Sequence, residues 1–184
     1  DSGLLTPADL AGDGLYHDAY ENHSEHYFVE AHAGLRVGTF RLIDARRGPL
    51  QVADQFGFVP DPHGFEISGF AVADAYRSSG AVLGVYHTCY RLALERQFSV
   101  AYMEVEDWLL DSLLEMGFPV RRLGEPRWTF NASNHALAIP ISEVVPSLCT
   151  ADSARGGRTR FCELFADPVR DTFDPRTAYS SRAF

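Results

Sequence analysis

The chain has 184 residues and a formal net charge of −9, and all 16 of its basic side chains are arginines. This length is sufficient for one compact domain with a full hydrophobic core. The absence of lysine excludes Schiff-base catalysis and lysine-dependent nucleotide loops, and the acidic balance disfavours nucleic acid and anionic membranes as partners.

The first third of the chain predicts a β-hairpin after an irregular start. Residues 1–22 are rich in glycine and aspartate and predict a short helix or an irregular segment. Two runs of β-type residues follow, at 25–32 and 35–43, and the Ala33-Gly34 pair between them indicates a hairpin. Residues 50–58 predict a short helix that two prolines then end.

The middle of the chain predicts strand, helix and strand. The strand covers residues 64–74, the helix 78–97 and the second strand 98–105. Apolar groups lie around much of the helix, which indicates burial. Strict alternation along the first strand predicts two faces, one with Glu66, Ser68, Phe70 and Val72 and the other with Phe65, Ile67, Gly69 and Ala71.

A further helix and two strands are predicted towards the C-terminus. The helix begins with two acids at 106–107, which suit its positive end, and Gly117 is a favourable C-terminal cap. Residues 118–123 and 134–141 predict the last strands. Alternating crossovers and antiparallel pieces predict a mixed α/β (α+β) layer fold. No apolar run is long enough to span a membrane.

Three short motifs occur in order: Asp18-x-x-Glu21 followed by HSEHY, VGTFRLI with Arg41, and EISGFAV beginning at Glu66. Together they resemble the acyl-homoserine-lactone synthases and N-acyl amino acid synthases of the GNAT-like acyltransferase superfamily, over about residues 16–142. The HSEHY segment is more similar to the N-acyl amino acid branch. The resemblance implies a GNAT-like, mostly antiparallel central sheet flanked by helices, with a splayed central strand pair.

The resemblance also implies an activity, namely N-acyl transfer from an acyl carrier protein or CoA thioester to the amine of an amino acid or similar acceptor. Glu66, with Ser68 beside it, is expected to deprotonate or orient the amine. Backbone groups near Phe70 and Val72 are expected to polarise the thioester carbonyl. A structural ion pair is the alternative reading of Glu66 and of Arg41.

The expected substrate-binding residues are Asp18, Glu21, Arg41, Val72, Tyr102 and Glu104. Arg41 either pairs with the chain's own acids or holds a substrate carboxylate with two parallel hydrogen bonds. Aromatic side chains that could wall an acyl tunnel, or simply form the core, are Phe70, Tyr86, Tyr90, Tyr102, Trp108 and Phe118.

Arg77, Ser79 and Gly80 partly match a pyrophosphate-binding loop at the start of the long helix. We expect this loop to bind the phosphate of acyl-phosphopantetheine, on a carrier protein, or of acyl-CoA, either one a co-substrate rather than a permanently bound cofactor. An ordinary helix start capped by serine explains the same residues equally well.

Two departures from the family pattern keep other interpretations open. Gly69 stands where the family has an arginine, and residues 143–184 have no counterpart in the core pattern. We therefore expect an acyltransferase domain over residues 1–142 and a C-terminal extension packed on or over it. The alternatives are a homoserine-lactone-type signal synthase that uses S-adenosylmethionine and a GNAT-like binding domain without turnover, which Gly69 favours.

The cysteines and histidines predict neither a redox centre nor a metal site. Three cysteines form no CxxC pattern, so we expect reduced thiols and a cytoplasmic location. His23 and His26 would point to opposite faces of a strand, so we expect no shared metal ion. Since the chain begins with Asp1, we expect it to have been trimmed.

Overall fold

The computed structural model describes residues 18–31, 35–76, 81–129, 132–157 and 161–167. Its strands are β1 (Ser24–Ala31), β2 (Leu35–Asp44), β3 (Gly64–Val72), β4 (Val100–Glu106), β5 (Arg121–Arg122), β6 (Arg127–Thr129) and β7 (Ala132–Pro140). Its helices are α1 (Gln51–Phe56), α2 (Ala81–Glu95), α3 (Asp107–Met116), α4 (Val144–Ala154) and α5 (Phe161–Ala166).

All seven strands form one sheet in the order β1-β2-β3-β4-β7-β5, with β6 also paired to β7. Among the described pairs, β3–β4 is parallel and the others are antiparallel. The parallel pair is joined by α2, because parallel neighbours need a crossover connection. The predicted mixed, mostly antiparallel α+β sheet is confirmed.

The sheet has a core on each face, since side chains alternate along every strand. On one face, Leu42 and Phe65 pack into the main cluster beneath α2, α3 and α4. On the other, Ile43 packs with Leu50 and Val52 beneath α1. The sheet therefore separates the α1 side from the α2 side, and this division positions the candidate site.

A β-bulge interrupts β3 at Gly69. Cα pairing with β2 jumps from Arg41–Ser68 to Thr39–Ala71, so two residues of β3 oppose one residue of β2. Gly69 adopts φ +57°, the left-handed conformation that glycine tolerates best in such bulges.

The bulge turns the side chains of Phe70 and Val72 towards the α2 side of the sheet. The Phe70 ring stacks on Tyr86 with centroids 5.4 Å apart, and Val72 packs in the same cluster as Val85. The prediction that Phe70 and Val72 share a face with Glu66 is therefore wrong, because one extra residue shifts the alternation by one position.

Most of the predicted elements are confirmed within the described residues. The hairpin, α1, β3, β4, α3 and the last strands lie where the sequence predicted them, with small shifts at their ends. The described part of the long helix begins at Ala81. Residues 21–23 form a single 3-10 turn, and residues 1–17 lie outside the described ranges. The short strand β6 was missed, since three residues carry little periodicity.

The helices α4 and α5, which follow the last strand in the described residues, pack against the sheet. Leu148 of α4 and Phe165 of α5 are buried in the main cluster. A disulfide joins Cys149 to Cys162, with Cα atoms 4.6 Å apart, and Cys89 is a buried free thiol. The expectation of reduced thiols is wrong for the joined pair, because folding brings their helices together. The domain boundary at residue 142 stays a prediction.

None of the helices in the described ranges is both long enough and apolar enough to cross a membrane.

Gly117 offers a test of how α3 meets α4. It ends α3 with φ +95°, and an added Cβ would collide with the Cβ of Ala151. Gly57 ends α1 with φ +74° and has nothing within 4 Å of its added Cβ. We expect Gly57→Ala to cost about 1 kcal/mol of unfolding free energy and Gly117→Ala about 1–3 kcal/mol more.

Denaturant unfolding of both variants measures the difference. Ala151→Gly in the Gly117→Ala background removes the collision, and we expect it to recover part of the additional loss. Equal destabilisation of the two single variants would contradict the proposed packing of α3 against α4.

Candidate active site

The candidate site lies where the parallel strands β3 and β4 part. Their Cα pairing covers three rungs and ends with Glu66 opposite Tyr102, although both strands continue. Charged side chains lie on the α1 side of this point and an apolar pocket lies on the α2 side. The split therefore places two chemically different environments on opposite faces of the sheet.

Glu66 is buried under α1, with a relative exposure of 2%. Its Oε2 accepts a hydrogen bond from the backbone N–H of Val52 at 2.9 Å. No side chain within α1 caps its first turn. The carboxylate of Glu66, which lies on β3, caps this turn instead.

Burial raises the pKa of Glu66 to about 7, and the negative charge of Glu104 acts in the same direction. The Val52 N–H and the positive charge of Arg41 oppose this shift. A carboxyl with this pKa can take up and release a proton near neutral pH, as a general acid or base must.

Arg41 connects the surrounding polar groups. Its Nε donates to Ser68 Oγ at 2.9 Å, its Nη1 to Asp18 Oδ2 at 2.6 Å and its Nη2 to Gln51 Oε1 at 2.5 Å. Nη1 also lies 3.7 Å from Glu21 Oε2. Each guanidinium nitrogen thus has a partner within the chain, which favours the ion-pair interpretation of Arg41 over a hold on a substrate carboxylate.

Gly69 does not leave the N-terminal acids without a partner. Asp18 and Glu21 pair with Arg41, although the residue that is arginine in the resembling family is glycine here. A Cβ added at Gly69 would meet only the Cβ and backbone N of Arg41, at 3.7 and 3.9 Å. The space beside Arg41 is therefore open, and the left-handed backbone is what favours glycine.

Tyr102 and Glu104 of β4 lie on the α1 side. The Tyr102 Oη accepts the backbone N–H of Asp61 at 2.8 Å, and the ring packs against Phe58. Glu104 Oε1 accepts a hydrogen bond from Thr129 Oγ1 at 2.6 Å. Both lie near Glu66, and Tyr102 packs on the α1 side, on the opposite face of the sheet from the apolar pocket. Their roles in substrate binding stay predictions.

An apolar pocket of about 50 Å³ occupies the α2 side. Ile67 and Met103 line it one position beyond the last β3–β4 rung, and residues from α2, α3 and α4 complete the wall. Its lining is apolar or aromatic apart from the Cys89 thiol and the Tyr86 and Tyr90 hydroxyls. A pocket of this composition suits a hydrocarbon chain.

Three of the six aromatic residues considered for an acyl tunnel line this pocket, and their contact with an acyl chain stays a prediction. Tyr86, Tyr90 and Phe118 line the pocket, and Phe70 stacks behind Tyr86. Trp108 is 65% exposed on α3, so its prediction is wrong. Sequence reasoning missed Ile67 and Met103, whose signal was their alternation with Glu66 and Tyr102 along the two strands.

The predicted phosphate-binding residues, Arg77, Ser79 and Gly80, lie outside the described residues. Among the histidines, His26 Nε2 lies 2.8 Å from Glu21 Oε1, and His23 Nε2 lies 3.2 Å from the Pro49 carbonyl oxygen. Within the part of the chain that the structure describes, no three metal-ligating side chains converge on one point.

Comparison with known proteins establishes the fold. No protein-family model matches the chain, and no curated protein matches it. Among solved structures, the CoA-dependent acyl-homoserine lactone synthase MesI is 21% identical, with 78% of this chain and 74% of that chain covered and a TM-score of 0.62.

Two other solved structures share this architecture. BjaI, a CoA-dependent acyl-homoserine lactone synthase with bound SAM and isopentyl-CoA, is 21% identical, covers 86% and 80% of the chains and has a TM-score of 0.61. FeeM, an N-acyl amino acid synthase from uncultured soil microbes, is 15% identical, covers 71% and 75%, and has a TM-score of 0.55. The predicted GNAT-like fold is confirmed.

The raised pKa of Glu66 predicts a pH-dependent stability. Unfolding lowers the pKa from about 7 to 4.5, so the folded state binds this proton more tightly. The stabilisation is complete below pH 4.5 and is lost as the pH rises through 7, by about 3 kcal/mol. We expect the stability of the wild type relative to Glu66→Gln to fall across this range.

Urea unfolding at several pH values measures this difference. Glu125→Gln, which removes an exposed carboxyl, serves as the matched control and should track the wild type. Parallel pH profiles for the wild type and Glu66→Gln would show that the pKa of Glu66 is not raised.

Proposed function

We propose that this chain is an N-acyltransferase that moves an acyl group from the thioester of CoA or an acyl carrier protein to the amine of an amino acid or similar small acceptor. The observation that carries the proposal is the position of Glu66 and the apolar pocket on opposite sides of one strand split. The proposal includes no resident cofactor. It places the protein in the cytoplasm on the ground of its thioester co-substrates and no longer on its cysteines, because the Cys149–Cys162 disulfide is unusual in that compartment.

The donor side follows from the apolar pocket. The acyl chain would lie between β3, β4 and α2, where burial of its methylenes is favourable by about 0.8 kcal/mol each. The thioester carbonyl would then lie at the split, beyond the Glu66–Tyr102 rung. Backbone N–H groups near Phe70 and Val72 would stabilise the developing oxyanion. Arg77, Ser79 and Gly80 would bind the phosphate of the pantetheine arm.

The acceptor side is the charged face under α1. The amine attacks only when it is neutral, so a proton acceptor is required. Because the Glu66 carboxyl is buried, the proton would reach it either through a bridging water molecule or after a small outward movement of α1. Ser68, held by Arg41, would orient the amine. Asp18, Glu21 and Glu104 would complete an acid-rich binding surface.

The reaction is direct, without a covalent enzyme intermediate. The amine nitrogen attacks the thioester carbonyl carbon, the C–N bond forms, and the C–S bond breaks as the tetrahedral intermediate collapses. The proton that leaves the amine passes to Glu66 and then to the departing thiolate. Holding both substrates across the strand split supplies the proximity that this attack needs.

Glu66→Gln tests the proton-transfer step. We expect turnover to fall a hundredfold or more, within the usual range for the loss of a general base. We also expect the wild-type kcat to rise with pH through about 7, where Glu66 ionises, and the variant to lack this rise. Thiol release and mass spectrometry of the acylated amine measure both effects.

Glu125→Gln is again the control and should keep wild-type turnover. Near-normal acylation by a folded Glu66→Gln protein would eliminate Glu66 as the proton acceptor. Mass spectrometry of lipids from cells that express either variant extends the comparison to acceptors that are not known in advance.

A second candidate is a homoserine-lactone-type signal synthase with S-adenosylmethionine as the acceptor. The Asp18–Arg41–Glu21 cluster favours it, because this ion-pair network is retained without an arginine at position 69. Product mass separates the two candidates, since a lactone product and an acyl amino acid differ. Donor binding without any acylated product across a broad acceptor panel would instead favour a binding domain without turnover.

A further inference from the structure

Phe165 lies directly behind the wall of the apolar pocket. Its ring is 5.4 Å from that of Tyr90 and 5.5 Å from that of Phe118, centroid to centroid. Both neighbours line the pocket, whereas Phe165 is 1% exposed and forms the next layer. The position of Phe165 therefore decides how far Tyr90 and Phe118 can withdraw.

The start of α5, the helix that carries Phe165, is bonded to α4. Cys162 is joined by a disulfide to Cys149 of α4. The backbone N–H of Cys162 also donates to Asp152 Oδ2 at 2.8 Å, which satisfies one free donor of the first turn. These two contacts fix α5 against α4, whose Val144 also lines the pocket.

The end of the same helix packs against α2. His87 of α2 is buried beside the last turn of α5. The His87 ring also contacts the Phe165 ring edge-on, at 5.7 Å between centroids. Because the start of α5 is bonded to α4 and its last turn packs against His87, the helix cannot easily move inward to fill space vacated by a smaller side chain.

A smaller residue at this position would enlarge the pocket. When a core side chain is truncated and the neighbouring residues are held in place, they relax only slightly into the vacated space, so a cavity remains. Apolar cavities of this kind stay dry and bind apolar ligands. The native pocket, at about 50 Å³, is roughly a third of the size of an engineered cavity that accepts benzene, so added volume would change which chains fit.

We propose that Phe165 limits the length of acyl chain that the pocket accepts, as a positioning residue that holds Tyr90 and Phe118 in place. The proposal rests on the acyl-donor site of the proposed function and adds its specificity determinant. It also assigns a role to the C-terminal helix, whose residues carried no motif.

A ligand series that cannot react tests this proposal without depending on turnover. The probes are S-alkyl pantetheine thioethers with chains of 4 to 14 carbons, measured by calorimetry and thermal shift. We expect the chain length with the highest affinity to be at least two carbons longer for Phe165→Ala than for the wild type. Two further buried methylenes correspond to about tenfold tighter binding.

Phe161→Ala is the matched control, because Phe161 lies on the same helix and is only partly buried. It should lose stability without changing the preferred chain length. Phe165→Leu should give an intermediate preference and guards against a Phe165→Ala protein that fails to fold. A long-chain probe should also raise the melting temperature of Phe165→Ala more than that of the wild type.

The outcomes separate the two proposals. If the wild type prefers one chain length and both Phe165 variants keep the same preference, the role of Phe165 is wrong and the acyl site stands. If no thioether of any length binds the wild type, the acyl site fails, and the role of Phe165 fails with it.

Discussion

The early separation of β3 from β4 is the constraint on which the rest of the site depends. Parallel strands normally continue their hydrogen bonds, but here the pairing stops after the Glu66–Tyr102 rung. The split interrupts the hydrogen bonding of a sheet that separates two cores. Because side chains alternate, the positions beside it place apolar Ile67 and Met103 on one face and polar groups on the other.

Glu66 connects stability with chemistry at this point. The carboxyl accepts a hydrogen bond from the first turn of α1, so the position of this helix depends on it. Burial of the same carboxyl raises its pKa to about 7, which costs stability when it is ionised and makes proton transfer near neutral pH feasible. Arg41 limits that cost by its positive charge while it also neutralises Asp18 and Glu21. One buried carboxylate thus serves a structural role and a proposed catalytic role.

Much of the fold followed from local patterns. The hairpin, the strand that carries Glu66 and the amphipathic helices are encoded in short-range periodicity and turn residues, and the structure has them at the expected places. The facing of Arg41 and Ser68 also follows from a simple antiparallel register. The pattern failed at Gly69, because a single inserted residue leaves the local composition unchanged while it turns Phe70 and Val72 to the other face.

The sequence by itself determined the order of the main elements from β1 to β7, the excluded chemistries of a chain without lysine, and the identity of the acids and the arginine at the candidate site, but not β6 or the helices α4 and α5. Only the tertiary structure decided that Arg41 is fully engaged by its own chain, that Cys149 meets Cys162, and that Phe165 backs the pocket wall. These contacts join residues far apart in the chain or depend on helix docking. Local propensity carries no information about such distances, because docking is set by the packing of the complete core.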